Sequence, residues 1–196
     1  MQNLLEDLKD MEVFKELGAI SVFYENVDKE LSTFPNRFGV FCKKGCGECC
    51  AHFIPDLTYL ESLFIAYHVL TSEKREMLVS RLEERKGSTT APCPFYDVNS
   101  ELHCMIYPAR GLVCRLFNSS FFLDKYRKPV FKACRFGGDD KDINLEFAHP
   151  DVPLMSKYGE ELEGLYGNTT GTKLLTFSVL SEIDKILMLA SFGKGA

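Results

Sequence analysis

The amino-acid sequence predicts a mainly α fold with a small β hairpin (α+β), in a single domain organised around a cysteine-rich centre. Two observations predict it. Apolar residues recur at helical spacing in several stretches, whereas strand-like patterning is confined to one short segment. Four of the eight cysteines fall within nine residues, and the other four are grouped downstream.

The elements follow in chain order. Leu4, Leu5, Leu8, Met11, Phe14 and Leu17 form the apolar stripe of a helix over 3–17, which Gly18 is expected to end. A weaker helical pattern runs through Val22, Phe23, Val27 and Leu31 until Pro35 breaks it. Gly45 and Gly47 let the cysteine string that follows fold tightly around a small centre. Thr58-Tyr59-Leu60-Glu61 has the form of a capping box and opens a helix with Leu60, Leu63, Phe64 and Tyr67 on one face. Thr71 or Ser72 caps a second helix that ends at Gly87, giving a helical hairpin between the two cysteine groups.

Residues 88–100 read as a loop, with Pro92 and Pro94 flanking Cys93. Segments 117–123 and 130–134 are expected to pair around the polar turn 124–128, with Pro129 at the edge. A helix follows near 154–165. A last one covers 172–190, where Leu175, Val179, Ile183, Ile186, Leu187 and Ala190 share a face. The expected organisation is an N-terminal helical arm over 1–39, a cysteine-cluster metal-binding domain over 40–135, and a C-terminal helical segment over 136–196 packed on the same domain.

Composition narrows the function. A formal net charge of -5 speaks against nucleic acid, which demands a concentrated positive surface. The one short basic run, Lys125-Tyr126-Arg127-Lys128, reads as a solvated turn. No stretch approaches the ~20 apolar residues of a membrane span, and the opening Met1-Gln2-Asn3-Leu4-Leu5 has no signal-peptide character. The expectation is a cytoplasmic protein with no membrane or nucleic-acid partner. A protein partner for the helical arm stays open, and the substrate, if there is one, is unknown.

The cytosol is reducing, so its clustered cysteines serve more often as metal ligands or redox groups than as disulfides. The spacings are Cys42-x3-Cys46-x2-Cys49-Cys50, then Cys93-x10-Cys104-x9-Cys114-x19-Cys134. Thiolates this dense repel one another unless a cation neutralises them. Eight are enough for two four-coordinate sites, or for one iron–sulfur cluster with ligands left over; the soft donors suit zinc and iron alike. Cys134, the most isolated, is the one best explained as ordinary buried cysteine. The neighbours Cys49 and Cys50 point differently and are expected to serve two metals, or two irons of one cluster. Lys43, Lys44, Arg110 and Arg115 are candidates to offset the thiolate charge.

Cys42-x3-Cys46-x2-Cys49 also has the spacing of radical S-adenosylmethionine enzymes. Against that reading stand Glu48 in place of an aromatic residue, a fourth thiol at Cys50, and a helical chain after the motif. Taken with Cys93-Pro94-Phe95 and with Cys104, Ile106, Tyr107, Arg110, Cys114 and Arg115, the chain resembles the cysteine-cluster proteins described as zinc- or iron-chelating, also labelled iron–sulfur oxidoreductase-like. Gly111 stands where that family usually has proline.

The resemblance implies a metal centre over roughly 40–135 holding zinc or iron, or an iron–sulfur cluster, and assigns no enzyme activity. Tyr107, Arg110 and Arg115 are then expected around the ligands as supporting groups. His52 is an alternative ligand, and His103 is expected to point away from Cys104. No nucleophile–histidine–carboxylate series or phosphate-binding loop is present.

Overall fold

The computed structural model describes residues 8–9, 11–38, 46–131, 134, 152–166 and 171–193, with the backbone course alone for 33–38 and 193. Among them lie seven α-helices and two antiparallel strand pairs. The predicted mainly α, α+β class is the one observed.

The first helix, α1, spans Glu12–Phe38 without a break. Neither Gly18 nor Pro35 ends it. A solvated glycine inside a helix costs only about 1 kcal/mol relative to alanine, less than α1 gains by packing along its length. Pro35 lies in the final turn, so the missing donor affects only the helix end. The buried stripe is Val13, Leu17, Ile20, Tyr24, Val27 and Leu31, and Phe14 lies outside it. Residues 3–7 and 10 of the expected first helix are outside the described residues, whereas Leu8 is fully buried.

The short helix α2, Glu48–His52, carries Cys49 and Cys50. Strand β1, Asp56–Leu57, then leads into α3, Tyr59–Thr71. Thr58 caps α3 as expected: its hydroxyl accepts the Glu61 N–H, and the Glu61 carboxylate accepts the Thr58 N–H at 2.7 Å. The next helix, α4, runs Arg75–Glu84, later than the expected start at Thr71 or Ser72 and short of Gly87. Ser72 closes α3 instead, and its hydroxyl accepts the Lys74 N–H.

A single 3-10 turn at Tyr107–Ala109 precedes α5, Leu112–Leu116, which holds Cys114 and Arg115. The expected hairpin shrinks to β2, Phe122–Leu123, against β3, Pro129–Val130. Helix α6 covers Met155–Gly164, and α7 covers Leu175–Gly193. Just before α7, β4 (Lys173–Leu174) pairs with β1 in the register Asp56↔Leu174 and Leu57↔Lys173. The sequence does not predict that pair, because two-residue strands carry no alternation.

Helix α3 is central. Leu60, Leu63, Ile65, Ala66, Val69 and Leu70 are buried on more than one of its sides, and its most extensive partner is α7. One apolar cluster joins α3, α4 and α7 with Phe95 and Ile106 from the cysteine region. A second joins α1, α5 and α6 through Ile20, Tyr24, Val27, Leu112, Leu116 and Tyr158. No helix among the described residues is long and apolar enough to cross a membrane.

Candidate metal centre

The two cysteine groups meet through backbone contacts first. The Cys93 N–H donates to the Cys50 carbonyl at 2.7 Å, fastening the second group to α2. Between Cys93 and Cys104 the chain doubles back. The Met105 N–H bonds the Phe95 carbonyl at 2.9 Å, and Asp97 N–H bonds the His103 carbonyl at 3.1 Å. Arg81 of α4 supports this loop by donating to the carbonyls of Tyr96, at 2.7 Å, and Pro94, at 3.3 Å.

Gly47 caps α2 in the left-handed region at φ 66°. A Cβ there would come within 2.4 Å of the His103 Cβ, so the glycine is needed for this close approach as well as for its φ. His103 therefore packs against the first cysteine loop, and its Nδ1 is buried with no hydrogen-bond partner among the described residues.

Cys46, Cys49, Cys50, Cys93, Cys104 and Cys114 line one cavity of about 180 Å³. Phe53, Phe95, Ile106, Tyr107 and Phe117 share its walls, giving a largely apolar chamber with sulfur on several sides. The thiols sense one another. Cys50 donates to Cys104, which holds the Cys104 thiol down and pushes Cys50 up; burial raises Cys50 further. Burial pushes Cys93 up to about 12. Cys114 is raised by burial first, then by the charges of Cys93, Cys104, Glu61 and Cys49. Thiolates in this chamber are thus costly without a compensating cation.

Helix α5 is aimed into the cavity by two carboxylates. Glu61 Oε1 accepts the Leu112 N–H at 2.7 Å while Oε2 serves the α3 cap, so one buried side chain ties the first turns of α3 and α5 together. Asp28 of α1 accepts a very short bond from Arg115 Nη1 and lies 3.6 Å from Arg110 Nη2. Arg115 also donates to the carbonyls of Pro108 and Arg110, and its guanidinium covers the Tyr24 ring at 3.9 Å. Arg110 stacks over Tyr107 at 4.0 Å, and its charge helps lower Cys104.

Of the eight cysteines read from the sequence, six share the cavity. Cys134 sits beyond the β2–β3 pair, where its N–H bonds Asn118 Oδ1 at 3.0 Å, and it is not a wall residue. Cys42, Lys43 and Lys44 lie outside the described residues. Tyr107, Arg110 and Arg115 all line the cavity. His52 lies 3.3 Å from Glu48 on α2. Sequence reasoning missed Asp28 and the second role of Glu61. An acidic residue four places after Tyr24, on the buried side of α1, was the available signal for Asp28.

Soft, closely coupled thiols in a chamber with no carboxylate or imidazole among its described wall residues fit zinc or iron. As they stand, no three Cys, His, Asp or Glu side chains among the described residues are gathered tightly enough to hold a single ion. Fold and cavity together define a small, mainly helical protein with a thiol-lined centre. Residues 41–141 match the model of the CxxCxxCC family, described as a putative zinc- or iron-chelating domain. That match covers just over half of the 196 residues, and the chain belongs to this family. No curated protein and no solved structure matches it.

Proposed function

We propose that this chain is a metal-binding protein whose two cysteine groups form one zinc- or iron-chelating thiolate centre with a structural or metal-handling role. One observation carries the reading: six cysteines from both groups line a single cavity. Cys46, Cys49, Cys50, Cys93, Cys104 and Cys114 would hold the metal, with Cys42 and Cys134 as the remaining ligands of an eight-cysteine centre. A bound metal supplies the positive charge that lets these buried thiols ionise. Glu61 and Asp28 orient the helix bearing Cys114. Phe95 and Ile106 form buried apolar walls beside the sulfurs. Arg110 and Arg115 bring positive charge to a site that would otherwise be strongly negative.

An iron–sulfur redox centre, passing electrons or serving a modification reaction, is the second reading. The chamber's size favours it, since about 180 Å³ is generous for one ion with sulfurs about 2.3 Å away.

Elemental and sulfide analysis of protein purified without oxygen tests both readings. Stoichiometric zinc in a colourless protein supports the first and defeats the second; brown protein with iron and sulfide supports the second and defeats the first. Cys46→Ser is expected to lose more metal than Cys134→Ser. Protein without zinc or iron counts against the centre as drawn, and equal losses in the two variants would show Cys134 to be a ligand on a par with Cys46.

A further inference from the structure

Two arginines at the end of α4 stand outside the wall of the thiol chamber, yet both reach the loop that presents Cys93. Arg81 and Arg85 are one helical turn apart, so they leave the helix on the same side. Arg81 holds the carbonyls of Pro94 and Tyr96, just after the cysteine. Arg85 Nη2 donates to the Thr90 carbonyl, just before it, at 2.6 Å. The pair thus straddles Cys93, whose own N–H is fastened to the Cys50 carbonyl. Among the described residues Arg85 has no carboxylate partner, and its Nε is buried without an acceptor.

Cys93 and Cys104 have matching surroundings. Each sulfur accepts the backbone N–H of the residue two places on, Phe95 for Cys93 and Ile106 for Cys104. Each also has an arginine whose charge favours its thiolate: Arg110 for Cys104 and Arg85 for Cys93. Arg110 belongs to the chamber wall, and Arg85 acts from behind it. A protonated thiol is a weak acceptor and asks nothing of a guanidinium. A thiolate is a charged acceptor, and a cation with a free donor beside it is then stabilising.

We propose that Arg85 is a positioning residue of the metal centre, supplying the positive charge and the free donor that the Cys93 thiolate takes up when metal binds. The proposal rests on the metal-binding reading above. It extends the centre to α4, which contributes no ligand.

Metal affinity of the full chain, measured by chelator competition with the zinc or iron that the purified protein carries, tests it. Arg85→Gln should weaken binding about tenfold or more, and Arg85→Lys, which restores the charge, should recover most of that loss. Arg81→Gln removes the brace on the other side of Cys93. It should lower the melting temperature of the metal-free protein but cost less affinity than Arg85→Gln. The pH at which half the metal is released on acidification follows the charge more directly. Without the cation, protons displace the metal more readily, so this pH should rise in Arg85→Gln and return in Arg85→Lys. Unchanged affinity and release pH in Arg85→Gln would overturn the role. So would a lysine variant as weak as the glutamine one, or losses no greater than those of Arg81→Gln. A parent chain that takes up neither zinc nor iron defeats the metal-binding reading itself, and this role with it; a loaded parent with unaltered Arg85 variants defeats this role alone.

Discussion

Asp28 of α1 and Arg115 of α5 form an ion pair in which the guanidinium side chain is 1% exposed and the carboxylate 45%. The two residues are 87 positions apart. Arg115 follows Cys114 directly, so the pair fixes a cavity cysteine's helix to the long helix at the other end of the chain. Truncating one partner of such a pair leaves a buried charge without its counterion, a larger loss than the pair's own net contribution.

Asp28→Asn should therefore lower stability by about 2 kcal/mol, somewhat less than for a fully buried pair because the carboxylate is half solvated. Arg115→Lys should not substitute, since the ammonium cannot reach Asp28 and the carbonyls of Pro108 and Arg110 together. Denaturant unfolding measures both. An unchanged midpoint for Asp28→Asn would show that the pair only decorates the interface.

Glu61→Ala removes the carboxylate half of the α3 capping box and leaves the Thr58 and Leu112 N–H groups without their acceptor, for an expected loss of about 2–3 kcal/mol. Helix α5 should also loosen. Alkylation of Cys114, followed by mass spectrometry in the metal-free protein, should become faster in this variant than in the parent. Equal rates would mean that the cap and the cysteine helix are not coupled through Glu61.

Gly18→Ala should stabilise the protein by about 0.5–1 kcal/mol. The glycine is exposed inside α1, and a Cβ at that position meets nothing within 4 Å. A lower melting temperature for the variant would contradict an unbroken α1.

The buried thiols set the pH dependence. In the metal-free protein Cys93 holds its proton up to about 12, against 9.0 for an ordinary thiol. That preference adds stability below pH 9.0 and is lost as pH rises towards 12, so the metal-free protein should melt at lower temperature above pH 9.0. Metal ligation works in the opposite direction. It displaces thiol protons, so affinity should rise about tenfold per pH unit for each proton released near neutrality. Calorimetry in buffers of different ionisation enthalpy counts those protons. Affinity flat from about pH 6 to pH 8 would rule out binding by neutral buried thiols.

What was legible in the sequence was local. The capping box at Thr58 and Glu61 is contained in four residues and forms as the sequence predicts. The cysteine spacings announced a shared site because dense thiols have few other uses. Gly18 and Pro35 misled because a local breaking tendency of about 1–3 kcal/mol was weighed without the two apolar clusters that hold α1 along its length. Asp28 has no local partner to reveal its role, since Arg115 lies 87 positions away. The β1–β4 pair left no trace, being two residues long on each side and joined only once the chain has folded.

X-ray absorption at the edge of the metal bound to the purified protein is the sharpest test of a thiolate centre in this chain. Zinc or iron with a first shell of sulfur at about 2.3 Å is the expected result. A shell of nitrogen and oxygen, or protein that retains no zinc or iron while its cavity thiols alkylate freely, would contradict it.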